Sequence, residues 1–307
     1  MTDPMTRMRL GTRGSPLALA QANAVANRLR RFGAEVEIVP IRTEGDRLLE
    51  ARLAALGGKG LFVKEIEEAL RDGAIDAAVH SLKDLPAEVP AGLALAAFLE
   101  REDPRDVLVT RTGACFEDLP PGAVIGTSSP RRRAIVLALR PDLVVEPIRG
   151  NVDTRLRKLE RGGWDGVILA AAGLHRLGLA PAHAEPLGTD VFVPAVGQGI
   201  LALEVREADG RTRSLVERLD HAPTRACALA ERAYLTRLGA SCNTPMAAHA
   251  VSTGDRLTLT AFVASEDGRK VLRGADGGPL HEAARVGRRL AESLLERGAA
   301  AVAALRV

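Results

Sequence analysis

The sequence contains few aromatic residues, and this shortage disfavours one class of function. Phe, Trp and Tyr make up 3% of its 307 residues, while the net charge at pH 7 is +3. Proteins that bind single-stranded nucleic acids stack the bases on aromatic side chains. A duplex-binding protein would concentrate its basic residues in a tail or stripe, whereas these are spread along the chain. We therefore expect no nucleic-acid partner.

Cysteine and histidine are also scarce. The three cysteines, Cys115, Cys227 and Cys242, are widely spaced and form no CxxC motif, which argues against a disulfide framework or a structural zinc site. The six histidines lie far apart, so the sequence predicts no metal site. This cysteine usage fits a reducing, cytoplasmic setting.

Long apolar runs are absent as well. The richest stretch, at residues 91–99, is far shorter than the roughly 18–20 residues that a membrane span needs. The first ten residues, MTDPMTRMRL, lack the apolar core of a secretory signal. We expect a cytoplasmic protein with no membrane partner.

The pattern of apolar residues predicts an α/β architecture of two or three domains. Strand and helix patterns alternate over the first 100 residues, start again after residue 104, and change in character near residue 220. Such alternation predicts parallel or mixed sheets with helices on both faces. The tail predicts helices at 223–238 and 280–297 around two strands, at 258–264 and 270–273, as in a small α+β domain.

A short internal echo links the first two parts of the chain. LGTRGSP at 10–16 resembles IGTSSP at 125–130, and each reads as a strand, a Gly-Thr pair and a Ser-Pro that opens a helix. Because the match is so short, coincidence explains it as well as duplication does. Duplication would give the two similar α/β domains of clamshell ligand binders.

Arginines stand at three predicted strand-to-helix junctions. Free backbone N–H groups and the helix dipole attract anions to such places, and guanidinium groups bind carboxylates bidentately. The residues concerned are Arg13 with Ser15, Ser129 with Arg131 and Arg132, and Arg149 with Arg155. Each junction alone also fits an ordinary capped helix with a solvated arginine, but three together favour a ligand with several carboxylates or phosphates.

Three further segments carry candidate chemistry. HSLKDLP at 80–86 places Lys83 beside Asp84 at a strand end, where a carboxylate could stabilise positive charge, although a surface turn gives the same pattern. GGKG at 57–60 is either a lid that brings Lys59 to an anion or a plain flexible loop. Cys242 lies among small, turn-forming residues that would leave its sulfur accessible, whereas Cys227 lies in a predicted helix and is expected to be packed.

These motifs resemble those of the porphobilinogen deaminase (hydroxymethylbilane synthase) family. The matching blocks are long, keep their order and span nearly the whole chain. They are TRGSPLAL at 12–19, GGKGLFVKE at 57–65, AVHSLKD at 78–84, REDPRD at 101–106, GTSS at 126–129, RGNV at 149–152, PAVGQG at 194–199 and the loop around Cys242.

The resemblance implies a transferase of haem biosynthesis. Such an enzyme joins four porphobilinogen molecules head to tail, with loss of ammonia, into hydroxymethylbilane, on a dipyrromethane cofactor attached here to Cys242. The implied fold has two periplasmic-binding-protein-like α/β domains with mixed sheets, at 1–100 plus 197–219 and at 101–196. A small C-terminal α+β domain at 220–307 would carry the cofactor, and the enzyme would be a cytoplasmic monomer.

The resemblance also implies roles for individual residues. Asp84 would be the catalytic carboxylate that stabilises positive charge on the pyrrole nitrogens. The cofactor would be bound by Cys242, Lys83, Ser129, Arg131, Arg132, Arg149 and Arg155. The substrate, which carries an acetate and a propionate, would be bound by Arg13, Ser15, Arg176, Lys59 and, through stacking, Phe62.

Two positions depart from the family pattern. Pro130 replaces an expected apolar residue such as Leu and removes one amide donor, and Ala240 and Ser241 stand before Cys242 where two glycines are expected. A rival interpretation is a non-catalytic clamshell protein that binds a polycarboxylate, in which Asp84 and Cys242 would have no role.

Overall fold

The chain divides into two units. The computed structural model describes residues 7–42, 63–239 and 244–304. One unit consists of Met1–Arg101 with Ile200–Arg225, and the other of Glu102–Gly199 with Ala226–Val307.

The helices and strands follow in this order. The strands are β1 (Arg7–Arg13), β2 (Glu35–Ile41), β3 (Ala77–Ser81), β4 (Leu93–Phe98), β5 (Asp106–Thr110), β6 (Val124–Gly126), β7 (Val144–Glu146), β8 (Gly166–Ala170), β9 (Ala184–Pro186), β10 (Leu201–Arg206), β11 (Met246–Thr253), β12 (Arg256–Ala264) and β13 (Val271–Pro279). The α-helices are α1 (Pro16–Arg30), α2 (Lys64–Arg71), α3 (Pro130–Leu139), α4 (Val152–Arg161), α5 (Ala171–Arg176), α6 (Gly210–Glu217), α7 (Ala222–Leu238), α8 (Ala283–Glu296) and α9 (Ala299–Val302). Short 3-10 helices span Leu82–Asp84 and Leu280–Glu282.

The first unit is built on a mixed sheet with the strand order β2-β1-β3-β10-β4. Strand β1 runs parallel to β2 and β3, whereas β10 is antiparallel to β3 and β4. The parallel strands therefore end at one edge, and ligands of open α/β sheets bind at the carboxyl ends of the strands.

Helix α1 shows how the sequence builds this unit. Ser15 caps it by accepting a hydrogen bond from Ala18 N at 3.3 Å, and Pro16 occupies the first helical turn, where its missing N–H does no harm. Apolar side chains at helical spacing, including Leu29, are fully buried in the core of the unit. Full burial of one such side chain contributes roughly 1.5–3 kcal/mol, so packing rather than helix propensity stabilises α1.

The second unit contains a sheet with the same plan. Its strand order is β7-β6-β8-β5-β9, with β6 parallel to β7 and β8, and β5 antiparallel to β8 and β9. Each strand of the first sheet has a counterpart here, so β6 and α3 correspond to β1 and α1. The echo between residues 10–16 and 125–130 falls on equivalent strand-to-helix junctions, which favours duplication over coincidence.

The second unit also contains a small antiparallel sheet, β11-β12-β13, with its own apolar core. Helix α8 packs against this core and approaches α7 closely at Gly287, where a Cβ would overlap the carbonyl oxygen of Ala230 and lie 2.9 Å from Tyr234 N. The mixed α/β class and the small α+β region are confirmed.

Several details of the prediction were wrong. The tail has three strands rather than two, because β11 is rich in Ala and lacks the β-branched alternation that marks a strand. The apolar pattern at 75–79 predicts a strand there, whereas β3 spans Ala77–Ser81, and the apolar stretch at 91–99, for which no strand was predicted, contains β4. Cys227 is buried, as expected for its place in α7.

The described residues contain neither a membrane-spanning helix nor a cluster of metal ligands. Across the three described ranges, no helix has the length and apolar character needed to cross a bilayer. The same ranges contain no cluster of His, Cys, Asp and Glu side chains that could hold a metal ion.

Candidate functional site

The carboxyl edge of the first sheet carries four of the predicted site residues. Arg13 ends β1, Ser15 caps α1, and Lys83 and Asp84 lie in the 3-10 turn that follows β3. Strands β1 and β3 are parallel neighbours in one sheet, so their ends lie side by side. The structure brings these four residues to one edge.

Asp84 presents its carboxylate to solvent at this edge. The turn is anchored by the buried Leu82, whose N–H donates to Ile200 O at 3.0 Å and whose carbonyl oxygen accepts from Leu85 N at 3.2 Å. Among the residues that the structure describes, none forms a hydrogen bond or ion pair with the Asp84 side chain. The carboxylate is thus held on a fixed turn and is open to a ligand.

Two polar pairs hold the strand that leads to Asp84. Gln21 Nε2 lies 3.1 Å from Ser81 Oγ, which joins α1 to the end of β3. His80 Nε2 lies 3.0 Å from Glu204 Oε2, which joins β3 to β10, and the two side chains are 5% and 1% exposed. The end of β3 is therefore fixed to the elements on either side.

A third ionisable group, Glu67 on α2, interacts with the His80–Glu204 pair. Burial raises the pKa of Glu67, and the negative charge of Glu204 raises it further, while His80 acts in the opposite direction. The charge of Glu67 is thus coupled electrostatically to the His80–Glu204 pair inside the first unit.

In the second unit, Ser129 caps α3 by accepting a hydrogen bond from Arg132 N at 3.4 Å. Pro130 lies in the first helical turn, where no intrahelical bond needs its N–H, so the departure at this position leaves the helix intact. Ser128 Oγ donates to Ile148 O at 2.9 Å and fixes the turn before the cap.

Arg131 and Arg132 share a buried carboxylate, Asp106, which the sequence analysis did not identify. Arg132 donates to Asp106 Oδ1 from Nε at 3.0 Å and from Nη2 at 2.6 Å, and from Nη1 to Ile168 O at 2.7 Å. Arg131 Nη1 forms an ion pair with Asp106 Oδ2 at 2.7 Å and donates to Val193 O at 2.7 Å. We call Asp106, Arg131 and Arg132 the arginine triad.

The triad keeps a net positive charge. Burial alone would raise the pKa of Asp106, but the charges and hydrogen bonds of Arg131 and Arg132 outweigh it and hold that pKa well below its usual range. Burial lowers the pKa of Arg132, yet a guanidinium stays protonated at neutral pH. Two cations and one anion leave a charge of +1, and Gln198 adds a neutral hydrogen bond to Asp106 Oδ1 at 3.1 Å.

Arg155 is a largely buried cation on α4 without a carboxylate partner in the described part of the chain. Its Nε donates to Gly150 O at 2.8 Å. Burial, reinforced by the charge of Arg132, lowers the pKa of Arg155 to about 10. A cation withdrawn from water is costly until an anion neutralises it, so Arg155 is a candidate to bind an anion.

Arg176 is a second partly buried cation, at the end of α5. Its Nη2 donates to Gly199 O at 2.6 Å. Burial lowers the pKa of Arg176, and the charge of Glu102 partly offsets this. Arg149 is exposed just before α4, and its carbonyl oxygen accepts a hydrogen bond from Lys158 Nζ at 2.9 Å.

The donor groups fit a ligand with several carboxylates. In the second unit, Arg155 and Arg176 have their guanidinium groups withdrawn from water; no ion pair within the described ranges neutralises Arg155, and Glu102 only partly balances the charge of Arg176. The acetate and propionate groups of a dipyrromethane would supply the missing negative charge. Three predicted site residues, Lys59, Phe62 and Cys242, lie outside the described residues.

Sequence reasoning missed the residues that support the site. No role was assigned to Asp106, Gln198 or the pairs Gln21–Ser81 and His80–Glu204, although several of these residues lie within the blocks that match the family. One signal was present: Asp106 opens the apolar strand β5, and a charged residue at a buried strand position needs a partner.

Comparisons with known proteins identify the family of the chain. The family model for "Porphobilinogen deaminase, dipyromethane cofactor binding domain" matches residues 8–214, and that for "Porphobilinogen deaminase, C-terminal domain" matches residues 225–296. The porphobilinogen deaminase of Syntrophotalea carbinolica is 52% identical over 95% of this chain and 93% of its own. That of Geobacter sulfurreducens is 50% identical over 96% and 93%.

Similarity to solved structures is lower. A periplasmic binding protein of Salmonella typhimurium with high arginine specificity matches 70% of this chain and 91% of its own, with 16% identity and a TM-score of 0.39. The two family models and the curated relatives cover nearly the whole sequence, and the chain belongs to the porphobilinogen deaminase family.

Proposed function

We propose that this protein is a hydroxymethylbilane synthase, which joins four porphobilinogen molecules head to tail with loss of ammonia. Besides family membership, one observation carries the proposal: Arg155 is withdrawn from water and no carboxylate of the described chain neutralises it. A substrate that brings two carboxylates with every addition supplies the anions that such a site needs. The dipyrromethane, when bound, supplies the pyrrole to which the first substrate unit is joined.

Asp84 is the proposed catalytic residue. Its exposed carboxylate stands on an anchored turn and has no competing partner in the described ranges, so it can accept a hydrogen bond from a pyrrole N–H. An anion at this place stabilises positive charge on the pyrrole ring as ammonia leaves.

The cationic residues are the proposed carboxylate binders. Guanidinium groups hold carboxylates bidentately and fix their orientation. The proposed cofactor binders are Lys83, Ser129, Arg131, Arg132, Arg149 and Arg155, with the thioether at Cys242. The proposed substrate binders are Arg13, Ser15, Arg176, Lys59 and Phe62. We also propose that the protein is a cytoplasmic monomer, which fits its cysteine usage and the proposed activity.

The mass of the intact protein tests the cofactor. We expect the purified protein to exceed its sequence mass by one dipyrromethane and Cys242→Ser to lose the excess. Cys115→Ser, at an exposed cysteine, is the matched control and should keep the excess. An unmodified protein with full activity would refute the covalent cofactor, and one that binds porphobilinogen without consuming it would favour the binding-protein alternative.

Turnover tests the catalytic residue. Asp84→Asn should keep the added mass and lose roughly 10²–10⁴-fold in the rate of hydroxymethylbilane formation. Asp72→Asn changes an exposed aspartate of the same unit, before the opposite end of β3, and should leave the rate unchanged. A normal rate in Asp84→Asn would remove Asp84 from the mechanism.

A further inference from the structure

Asp106 stands apart from the proposed cofactor binders because it has the same charge as the ligand. A carboxylate inside an anion-binding site competes with the ligand for the arginines unless it has a separate role. The side chain of Asp106 is 0% exposed, so it is positioned to act on Arg131 and Arg132 rather than to meet the ligand itself.

We propose that Asp106 is a positioning residue for cofactor assembly. It fixes the directions of the Arg131 and Arg132 guanidinium groups and limits the net charge of the arginine triad to +1. This inference rests on the proposed function. It assigns a role to the last residue of the REDPRD block at 101–106, for which the resemblance and the anion-binding argument gave none.

The contacts differ between the two arginines. Arg132 places all three of its guanidinium nitrogens on protein acceptors, two on Asp106 and one on Ile168 O. Arg131 uses Nη1 for both of its contacts, with Asp106 and Val193 O, and its Nε and Nη2 form no hydrogen bond with a described residue. Asp106 therefore holds Arg131 through Nη1 and leaves Nε and Nη2 for a ligand carboxylate.

The charge balance also requires Asp106. Without it, two buried guanidinium groups would repel each other and bear the full cost of desolvation. They would turn towards water or take a ligand carboxylate into the place of Asp106. In either case, the Arg131 guanidinium would no longer be held in one direction, and the binding of the ligand carboxylate would lose pre-organisation.

Gln198 connects this arrangement to a second cation. Its Nε2 donates to Pro104 O at 2.6 Å and to Asp106 Oδ1 at 3.1 Å, and the adjacent Gly199 accepts from Arg176. The carboxylate of Asp106 is thus itself held by the segment that orients Arg176. A change at Asp106 should therefore also reach Arg176, a proposed substrate binder.

The test measures cofactor loading rather than the activity of the loaded enzyme. Asp106→Asn keeps the shape of the side chain and removes its charge. We expect the fraction of folded protein with the dipyrromethane mass to fall about tenfold or more, since a well-placed charged hydrogen bond is worth about that factor in binding. Folding is followed separately by circular dichroism, at a temperature below the unfolding midpoint of each variant.

Leu108→Ala is the matched control for lost stability. Leu108 is fully buried on the same strand, and its truncation removes packing without touching the triad. It should keep most of its loading at equal folded fraction. Equal loading in Asp106→Asn and Leu108→Ala, or wild-type loading in Asp106→Asn, would overturn the proposal.

Chemical rescue separates positioning from a purely structural role. Asp106→Ala leaves room for formate, whose carboxylate can take the place of the lost one, whereas formamide has the same size and no charge. We expect formate, and not formamide, to restore loading several-fold in Asp106→Ala and to leave Leu108→Ala unchanged. No response to formate would count against Asp106. Wild-type protein without added mass would instead refute the proposed function.

Discussion

His80 Nε2 lies 3.0 Å from Glu204 Oε2 inside the first unit. On the antiparallel strands β3 and β10, His80 stands opposite Ala202, and Glu204 stands opposite Ala78. Both side chains are buried, so each satisfies a polar group that would be costly to bury alone. Asp84 follows His80 by four residues, and the pair therefore fixes the strand that leads to the proposed catalytic carboxylate.

Removing one member of this pair should destabilise the first unit. We expect Glu204→Ala to lower the free energy of unfolding by about 1–3 kcal/mol, because it leaves His80 buried without a hydrogen-bond partner. Glu204→Gln should lose less, since its amide can still bond to the imidazole. Urea unfolding measures both. Glu207→Ala, at an exposed position nearby, is the control, and a loss in Glu204→Ala no larger than in this control would contradict the argument.

Glu67 should make stability depend on pH. Its folded-state pKa is raised, so its favourable contribution is present at low pH and is lost as pH rises through that raised pKa. Glu67→Gln stays neutral and should be more stable than the wild type near pH 7, a gain that shrinks as Glu67 itself becomes protonated in acid.

Urea unfolding between about pH 4 and pH 8 tests this pH dependence. Glu68→Gln lies on the exposed face of the same helix and should show no comparable change with pH. A gain for Glu67→Gln that grows towards low pH would have the wrong sign.

Gly287 should tolerate no side chain. A Cβ there would overlap the carbonyl oxygen of Ala230 and force α7 and α8 apart, so we expect Gly287→Ala to lower the free energy of unfolding by about 1–3 kcal/mol. Gly210→Ala is the control, because a Cβ at Gly210 meets no atom within 4 Å. Equal stability of the two variants would show that the helices can separate without cost.

Local patterns predicted the fold well where an element carries its own signal. Helix α1 has a Ser-Pro start and apolar residues at helical spacing. The alternating apolar residues at 35–41 predict a strand over the range that β2, Glu35–Ile41, occupies. Strand β11 lacks such a signal, because small residues pack in the core without forming an alternating pattern. Its place depends on pairing with β12, which local sequence does not encode.

In the candidate site, too, features with a local signal were predicted and those that depend on long-range contacts were not. The starts of α3 and α4 placed Arg131 and Arg155 correctly at helix N-termini, since capping is local. The partner of Arg131 was not predictable, because Asp106 is 25 residues away and reaches α3 through the folding of a whole sheet. The charge that an arginine offers to a ligand depends on such partners, and sequence spacing alone treats all arginines alike.

The charge of Arg155 should lower the stability of the cofactor-free protein and strengthen the binding of the cofactor. In a Cys242→Ser background, which we expect to lack the cofactor, Arg155→Met removes a buried charge without a carboxylate partner. We expect the free energy of unfolding to rise by about 1–3 kcal/mol. With Cys242 present, the same change should reduce cofactor loading or turnover by about tenfold or more, because a charge-assisted contact to the ligand is lost.

Arg157→Met is the matched control on the same helix. Arg157 is exposed and pairs with Asp153 at 2.9 Å, and exposed pairs of this kind contribute little to stability, so both measurements should stay near wild type. Urea unfolding gives the stability, and intact mass and product formation give the function. A parallel fall of stability and function in Arg155→Met would mean that Arg155 supports the fold. Opposite changes are what an anion-binding residue requires, because its charge is costly until the ligand neutralises it.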